Sequence, residues 1–469
     1  MIAKARAFVE VRMSRMPNMA LAHAMRRADC SNSGLASRVR QIAIEDGVSL
    51  SCTHVDVKRW LDGVRPRHAT ARFIAEALSR KAGVTFTLDD IGLAGVVTPE
   101  TLEATLAHGG GISDAGSRLL ALTRRDLADD PVALQSVVVP DAWGESLISW
   151  LLARPEPLQI RQNARPSVGK WDVHAIRATT ELFANMGFQF GGGHARSALI
   201  QYYNREVVPM LGGKFTEPVG RALYAAAAEI TELVAWTAYD LGRHGLAQRY
   251  FLQGLRLAQA SGDRMMGGLL LADMSHQANY LGRYDQAIQL ARAAQEGCKG
   301  VATATPMALF YAMEARAHAG NGDEAACVRA LNEAEKHFSR RDADNDPSWV
   351  SYFDAAELAS EGAHCYRDLK KPSQALEFVG QAVDLCDPMY VRTLAFDRLV
   401  QAASYVHMNE PSQAATVALE AINLAGPLKS ERYLRYIRDL KADLLGRECE
   451  EQVAAFNALV ADRYPSLNS

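Results

Sequence analysis

The chain has 469 residues, of which 48% are hydrophobic and 22% charged, and its formal net charge is −3. A chain of this length exceeds one ordinary hydrophobic core, so the sequence predicts two or more domains. No apolar stretch reaches the roughly eighteen residues of a membrane span, and the first residues lack the pattern of a secretion signal. We therefore expect a cytoplasmic protein with no membrane partner.

The charge is unevenly distributed along the chain. Residues 1–93 contain 15 Lys and Arg against 9 Asp and Glu, whereas residues 94–469 contain 36 against 45. The first segment is therefore basic and the remainder acidic. This asymmetry is typical of a protein in which only one domain meets a polyanion such as DNA.

Residues 1–93 carry the pattern of a small helical domain. Apolar residues at helical spacing predict short helices within Asn18–Cys30, Ser31–Gly47, Thr53–Gly63 and Ala69–Gly83, and one last turn at 87–93. The third of these helices is short and basic. A run of short helices with a basic third member indicates a helix-turn-helix unit, whose recognition helix reads base edges through its first residues.

The basic stretch from 53 to 67 supplies most of the residues expected to touch DNA. Thr53 is the expected N-cap, and Trp60 is expected to be buried as the anchor of the helix. Residues at the start of the helix are expected to face the groove, and the flanking arginines are expected to bind phosphates. The predicted DNA-binding residues are Arg38, Thr53, His54, Val55, Asp56, Lys58, Arg59, Arg65 and Arg67.

Four stretches of this segment carry a family resemblance. GLASRV from Gly34, THVDVKRWLDGVRPR from Thr53, FIAEALSR from Phe73 and TLDDIGL from Thr87 resemble the XRE-type DNA-binding domain of actinobacterial transcriptional regulators. The resemblance implies an operator in double-stranded DNA and a homodimer that meets two half-sites. The link between the second and third helices is longer here than the tight turn of phage repressors.

Residues 94–165 read as a linker and docking segment. Three consecutive glycines at 109–111 favour a mobile connection, whereas Trp143 and Trp150 lie on an apolar stretch expected to dock on the body or on a second subunit. A second glycine triplet at 191–193 precedes His194. We expect a sharp turn there, between helices at 171–186 and 194–210, with an anion site as the alternative.

Residues 166–469 contain a recurring phrase that predicts a helical repeat array. The phrase is LGRHGLA at Leu241, LGRYDQA at Leu281, AGNGDEA at Ala319, LKKPSQA at Leu369 and MNEPSQA at Met408. Helix–turn–helix units of about this period stack into a solenoid. The phrase and its final Ala resemble the tetratricopeptide (TPR) repeat. The predicted fold is therefore all-α, with an N-terminal helix-turn-helix domain followed by a TPR-like α-solenoid.

The resemblance to TPR arrays implies a ligand groove lined by the first helix of each pair. Positions counted back from each turn at i, i+3, i+7 and i+10 lie on one helical face. In the last repeat they are apolar, which predicts a capping helix. The predicted groove residues are Glu229, Glu232, Trp236, Tyr239, His276, Asn279, Glu314, Glu357, His364 and Arg367. A peptide, a small effector or a protein partner is the expected ligand.

No catalytic pattern appears in the sequence. The seven cysteines form no CxxC pair, the twelve histidines form no HExxH motif, and Asp354 with Glu357 is a lone carboxylate pair. We expect no enzymatic activity, no catalytic residue, no metal site and no cofactor.

Over most of its length the chain resembles NsdA-like negative regulators of differentiation and antibiotic production, and its architecture is similar to Rgg- and PlcR-type peptide-responsive regulators. The resemblance implies a DNA-binding transcriptional regulator, acting as a repressor. The alternative is a TPR protein-interaction adaptor that does not bind DNA.

Overall fold

A computed structural model describes residues 17–46, 48–64, 66, 68–86, 88, 90–93, 102–106, 112–152, 158, 166–426 and 428–467. These residues form helices and turns, with no β-strand and one isolated bridge between Ser167 and Lys214. The all-α prediction is confirmed for them. None of their helices is both long and apolar enough to cross a bilayer. The chain divides into two compact units, Met1–Thr98 and Pro99–Ser469.

The described residues of unit 1 form four helices: α1 (Met19–Arg27), α2 (Asn32–Glu45), α3 (His54–Leu61) and α4 (His68–Ala82). The side chains of Asn18, Ser31 and Thr53 cap the first three by accepting backbone hydrogen bonds. Their apolar faces meet in one core, to which α3 contributes Val57 and Trp60. The expected burial of Trp60 is confirmed, because only 7% of its surface is exposed.

Unit 2 begins with helices that pack against the repeat array. They are α5 (Ile112–Leu127), α6 (Pro131–Leu134), α7 (Pro140–Leu152), α8 (Lys170–Phe190), α9 (Arg196–Tyr202) and, after a π-helical turn at Tyr203–Val207, α10 (Val208–Met210). Trp143 and Trp150 of α7 are buried in the same core as the first repeats. The guanidinium carbon of Arg264 lies 4.0 Å from the centroid of the Trp150 ring. The predicted linker glycines 109–111 lie outside the described residues.

Five helix pairs follow, each joined at one of the recurring phrases. They are α11 (Glu217–Asp240) with α12 (His244–Ser261), α13 (Arg264–Tyr280) with α14 (Tyr284–Cys298), α15 (Ala304–Gly320) with α16 (Glu324–Phe338), α17 (Ala355–Asp368) with α18 (Pro372–Leu385), and α19 (Val391–His407) with α20 (Pro411–Ala425). Two further α-helices follow, α21 (Glu431–Asp443) and α22 (Glu451–Arg463), and a short 3-10 helix at Pro465–Leu467 ends the described residues. The helices therefore stack as a repeat-like array.

The turns of the array share one backbone feature, which corrects the sequence register of the third repeat. Gly242, Gly282, Gly322, Lys370 and Asn409 all have a positive φ between 57° and 77°. This left-handed residue ends the first helix of each pair. In the third repeat the equivalent of Leu241-Gly242 is residues 321–322, two positions later than the sequence match at Ala319. The first-helix positions of that repeat shift by the same two residues.

The glycine triplet at 191–193 forms the expected sharp turn between α8 and α9. Gly191 has φ 82°, and a β-carbon at Gly193 would lie 2.8 Å from Leu241 and 3.0 Å from Lys429. The Gly192 N–H donates to Asp240 at 3.0 Å and the Gly193 N–H donates to the Lys429 carbonyl at 3.2 Å. These two amides already serve acceptors of the same chain, so the anion-site alternative loses its donors.

Candidate functional site

The first candidate surface is the exposed face of α3 in unit 1. His54, Val55, Lys58 and Arg59 are exposed on this helix, whereas Val57 and Trp60 are buried. One face of the helix is thus buried in the core of the unit. The opposite face presents two cations, Lys58 and Arg59, and begins with His54 and the apolar Val55. Among the described residues, Lys58 pairs with Asp62 alone, at 3.7 Å, and both side chains are more than half exposed. A pair of this kind is worth little, which leaves Lys58 available to another anion.

Two residues at the start of α3 have a local role. The backbone N–H and the hydroxyl of Thr53 donate to Asp56 at 2.9 and 2.8 Å, and the Asp56 N–H donates back to Thr53 at 3.4 Å. These hydrogen bonds lower the pKa of Asp56. We expected Asp56 to face DNA, but the structure engages its carboxylate in this capping box.

The link from Asp46 to Thr53 is held by a residue that sequence reasoning missed. Arg40 of α2 donates to the carbonyl of Cys52, whose side chain is buried. The bond fixes the entry of α3 relative to α2. Arg38 is exposed on α2, whereas the predicted phosphate contacts Arg65 and Arg67 lie outside the described residues.

The second candidate surface lies on the first helices of the repeats in unit 2. We call it the groove, and define it by the side chains of α11, α13, α15, α17 and α19 that contact α21 or one another across the array. The first and last of these helices are joined directly. Arg392 of α19 donates to Asp240 of α11 at 2.6 Å, and the Ser430 hydroxyl donates to the same carboxylate at 2.9 Å.

Asp240 connects several elements of the array, and the sequence pattern does not identify it. It is fully buried and also accepts the Gly192 N–H. Burial alone would raise the pKa of Asp240, but the guanidinium groups of Arg392 and Arg432 outweigh it, so the pKa lies below its ordinary value. Asp240 stays ionised and fixes the ends of the array against the segment that leads into α21.

Part of the predicted groove is occupied by α21 of the same chain. The guanidinium carbon of Arg432 lies 5.5 Å from the Trp236 ring centroid and 4.9 Å from that of Tyr239. The Tyr239 hydroxyl in turn bonds His276 Nδ1 at 2.8 Å. Trp236, Tyr239 and His276 lie close together, and α21 supplies the side chain that stacks on two of them. The expected capping helix is this same element, since Phe396 packs on its tyrosines.

The second contact region of α21 surrounds Tyr436. Its hydroxyl bonds His364 Nδ1 at 3.3 Å, and Arg367 lies 4.9 Å from its ring centroid. Burial tends to raise the pKa of Tyr436, but Arg367, Arg316 and Arg432 together lower it below its ordinary value. Burial, reinforced by the same arginines, holds the pKa of His364 well below its usual range. His364 is therefore neutral at pH 7.

The register correction removes Glu314 from the groove positions of the third repeat and places Arg316 among them. Glu314 lies away from the groove and pairs with Arg292 of α14 at 2.6 Å. The position equivalent to Trp236 is Arg316, which is 5% exposed and ion-paired with Glu361. Aligning the turns by their left-handed glycine rather than by the final Ala would have identified Arg316.

The remaining predicted groove residues are dispersed. Glu229 is buried and pairs with Arg177 of α8 at 2.9 Å. Asn279 lies against Gly320 at the end of α15. Glu232 and Glu357 lie in a separate acidic part of the groove. The described residues contain no group of three His, Cys, Asp or Glu side chains placed to hold one metal ion.

These features define an all-helical protein of two units. Unit 1 is a small domain of short helices, and unit 2 is a repeat array whose groove is partly filled by its own helix α21. Among protein families, the model described as the SP15 N-terminal domain matches residues 21–94. The match spans α1 to the turn after α4 and leaves unit 2 uncovered. No curated protein matches the chain.

Proposed function

We propose that this protein is a cytoplasmic, homodimeric DNA-binding transcriptional regulator, with α3 as its recognition helix and the groove as the site of an effector or partner. The observation that carries the proposal is the exposed face of α3. His54, Val55, Lys58 and Arg59 are presented to solvent on a helix whose opposite face is buried. A short, anchored helix with exposed cations has the form that reads a major groove.

The charge distribution supports the same proposal. Residues 1–93 are basic within an acidic chain, which concentrates attraction for phosphates on the unit that contains α3. The resemblance to XRE-type regulators covers the same helices, and the resemblance to NsdA-like regulators suggests repression of differentiation or secondary metabolism. The groove supports effector binding, because α21 fills only part of it, and Glu232 and Glu357 lie near Tyr352 in a separate acidic part.

Selection of duplexes from a random pool by the full chain, followed by a salt titration, tests the proposal. We expect an enriched palindromic motif and an affinity that falls steeply as salt rises. The double variant Lys58→Ala/Arg59→Ala should weaken binding and reduce the salt slope by about two, if each residue neutralises one phosphate.

A matched control removes the same charge elsewhere in unit 1. Arg26→Ala/Lys81→Ala changes exposed residues on α1 and α4, so its salt slope should stay near that of the wild type. Failure to enrich any motif at low salt, or equal binding by the α3 variant, would overturn the proposal and favour the adaptor alternative.

A further inference from the structure

The groove contains an acidic recess that α21 does not reach. We define it by Glu232 of α11, Asp273 of α13, Tyr352 before α17, Glu357 of α17 and Asp397 of α19. On three helices, the acidic residue lies seven positions before a residue that contacts α21. The three pairs are Glu232 and Tyr239, Asp273 and Tyr280, and Glu357 and His364. Seven residues are two turns, so each carboxyl shares the face of its helix that holds α21.

The carboxyl groups of the recess have no cationic partner among the described residues. The arginines that act on them are already engaged. Arg392, near Glu357, pairs with Asp240, and Arg398, next to Asp397, donates a hydrogen bond to Gln401. Glu232 and Asp273 hydrogen-bond to each other, and the Ser360 hydroxyl donates to Asp397 at 2.6 Å. Four acidic side chains thus gather without a neutralising ion pair.

Two oxygen atoms of the recess are buried without any hydrogen-bond partner. Asp273 and Asp397 are 6% and 1% exposed, and one carboxyl oxygen of each, Oδ2, is unsatisfied. A buried acceptor left unpaired costs about 1–3 kcal/mol, so a hydrogen-bond donor brought to either atom would stabilise the protein.

Aromatic rings form a wall of the same recess. The ring centroids of Tyr352 and Phe188 of α8 are 5.8 Å apart, and those of Phe188 and Tyr390 are 5.9 Å apart. The Tyr352 phenol lies among the carboxyls of Asp273, Glu357 and Glu232, which, after burial, raise its pKa. Glu232, Glu357 and all three rings are partly exposed, so the recess borders solvent.

The raised pKa values of the recess carboxyls agree with their lack of an ion pair among the described residues. Burial, together with the carboxylates of Glu361, Asp397 and Asp354, raises the pKa of Glu357 to about 8. Burial also raises the pKa of Glu232 and of Asp397 to about 7. A cation placed among these groups would favour their ionised forms.

Unpaired carboxyl oxygens beside aromatic rings suit a group that is cationic, donates hydrogen bonds and has apolar surface. We propose that the acidic recess binds an organic cation, an ammonium or guanidinium group, carried by a free amine or by a peptide side chain. This inference rests on the proposed role of the groove as an effector site. A metal ion fits less well, because the described side chains converge on no metal position, and an anion would be repelled.

Calorimetry of the full chain with defined probes tests the inference. Agmatine and spermidine represent free amines. Blocked Gly-Arg-Gly and Gly-Lys-Gly peptides represent side chains, and Gly-citrulline-Gly is the neutral isostere of the arginine peptide. We expect at least one cationic probe to bind while the citrulline peptide does not. Binding should also release protons, so the measured heat should differ between buffers of different ionisation enthalpy.

Neutral variants locate the binding. Asp273→Asn/Asp397→Asn should weaken the cation about ten- to hundredfold, the loss of one or two charge-assisted hydrogen bonds. Glu357→Gln is a second, single variant in case the double variant folds poorly. Glu451→Gln/Asp462→Asn changes exposed acids on α22 and should bind as the wild type. No binding of any cationic probe at millimolar concentrations, or equal binding by the recess variants, would overturn the inference.

The outcome is separable from the test of DNA binding. Cation binding that depends on the recess, without enrichment of any duplex, would uphold the recess and overturn the regulator. An enriched motif without cation binding would do the reverse. Preference for the agmatine probe or for the arginine peptide distinguishes a free amine from a peptide.

Discussion

The groove has two parts: the sealed part, where α21 packs around Tyr436, and the acidic recess. They differ in how their charge is balanced. Around Tyr436, the cations Arg316, Arg367 and Arg432 each face a carboxylate or an aromatic ring. In the acidic recess, the carboxyls face one another and Tyr352, and two buried oxygens have no donor. The contrast indicates where to look for a cationic ligand. Among the described residues, the cations around Tyr436 already face carboxylates or rings, although the Nε atoms of Arg316 and Arg432 have no hydrogen-bond partner, whereas the recess carboxyls form no ion pair.

The largest expected effect is the fall in the free energy of unfolding when α21 loses its main contact with the groove. Arg432 is 7% exposed and lies over Trp236, Tyr239 and Phe396. Arg432→Ala removes this cation from a buried environment that includes Asp240 at 3.9 Å. We expect the free energy of unfolding to fall by about 2–4 kcal/mol, measured by urea unfolding of the full chain.

A control for this change lies on the same helix. Arg438 is 52% exposed and pairs with Glu431 at 3.3 Å, so Arg438→Ala should cost less than about 1 kcal/mol. Equal losses for the two variants would mean that α21 does not seal the groove, and the contrast between the two parts would disappear.

The pH dependence of stability should separate the two parts, because their titratable groups are shifted in opposite senses. The pKa of Glu357 is raised to about 8, whereas an unfolded glutamate titrates near about 4.3. Between these values the folded protein keeps a proton that the unfolded chain releases. Stability therefore declines as pH rises from about 5 to 8. Burial lowers the pKa of His364, so its contribution is lost as pH falls below about 6.5, where the unfolded imidazole takes a proton.

One variant in each part tests this prediction. Glu357→Gln should flatten the alkaline decline and His364→Gln the acidic one, each by up to about 1.4 kcal/mol per pH unit. The free energy of unfolding, measured by urea titration from pH 5 to 8, gives both slopes. The exposed change Glu451→Gln is the control. A slope that stays unchanged after Glu357→Gln would assign the decline to Glu232, Asp273 and Asp397, whose pKa values are also raised, and would contradict the prediction for Glu357.

The helix pairs were predictable from the sequence because the turn between them has a local cause. A left-handed residue ends each first helix, and Gly242 and Gly282 mark it directly. The third repeat was misaligned by two residues because its final Ala was matched instead of its Gly322. Glu314 was placed in the groove for that reason, and Arg316 was missed. The capping of α3 by Thr53 was likewise predictable, since a capping box needs only residues three apart.

The occupant of the groove was not predictable in the same way. Asp240 is held by Gly192, Arg392 and Ser430, which are 48, 152 and 190 residues away in sequence. No local pattern records such contacts. The helical face of α11 indicated that Trp236 and Tyr239 share a surface, but the cation above them comes from α21. Sequence periodicity thus predicts which side chains line a surface, and tertiary contacts decide which part of it remains open.

The smallest expected effect concerns one hydroxyl in the sealed part, that of Tyr436. Tyr436→Phe removes the hydrogen bond to His364, which is long at 3.3 Å, and keeps the ring contacts with Phe396 and Arg367. We expect a loss of about 0.5–1 kcal/mol in urea unfolding. Because rings and guanidinium groups supply most of the α21 contacts, this loss should stay well below that of Arg432→Ala. A loss as large as that of Arg432→Ala would place the main anchor of α21 in the hydroxyl and its histidine rather than in the cations.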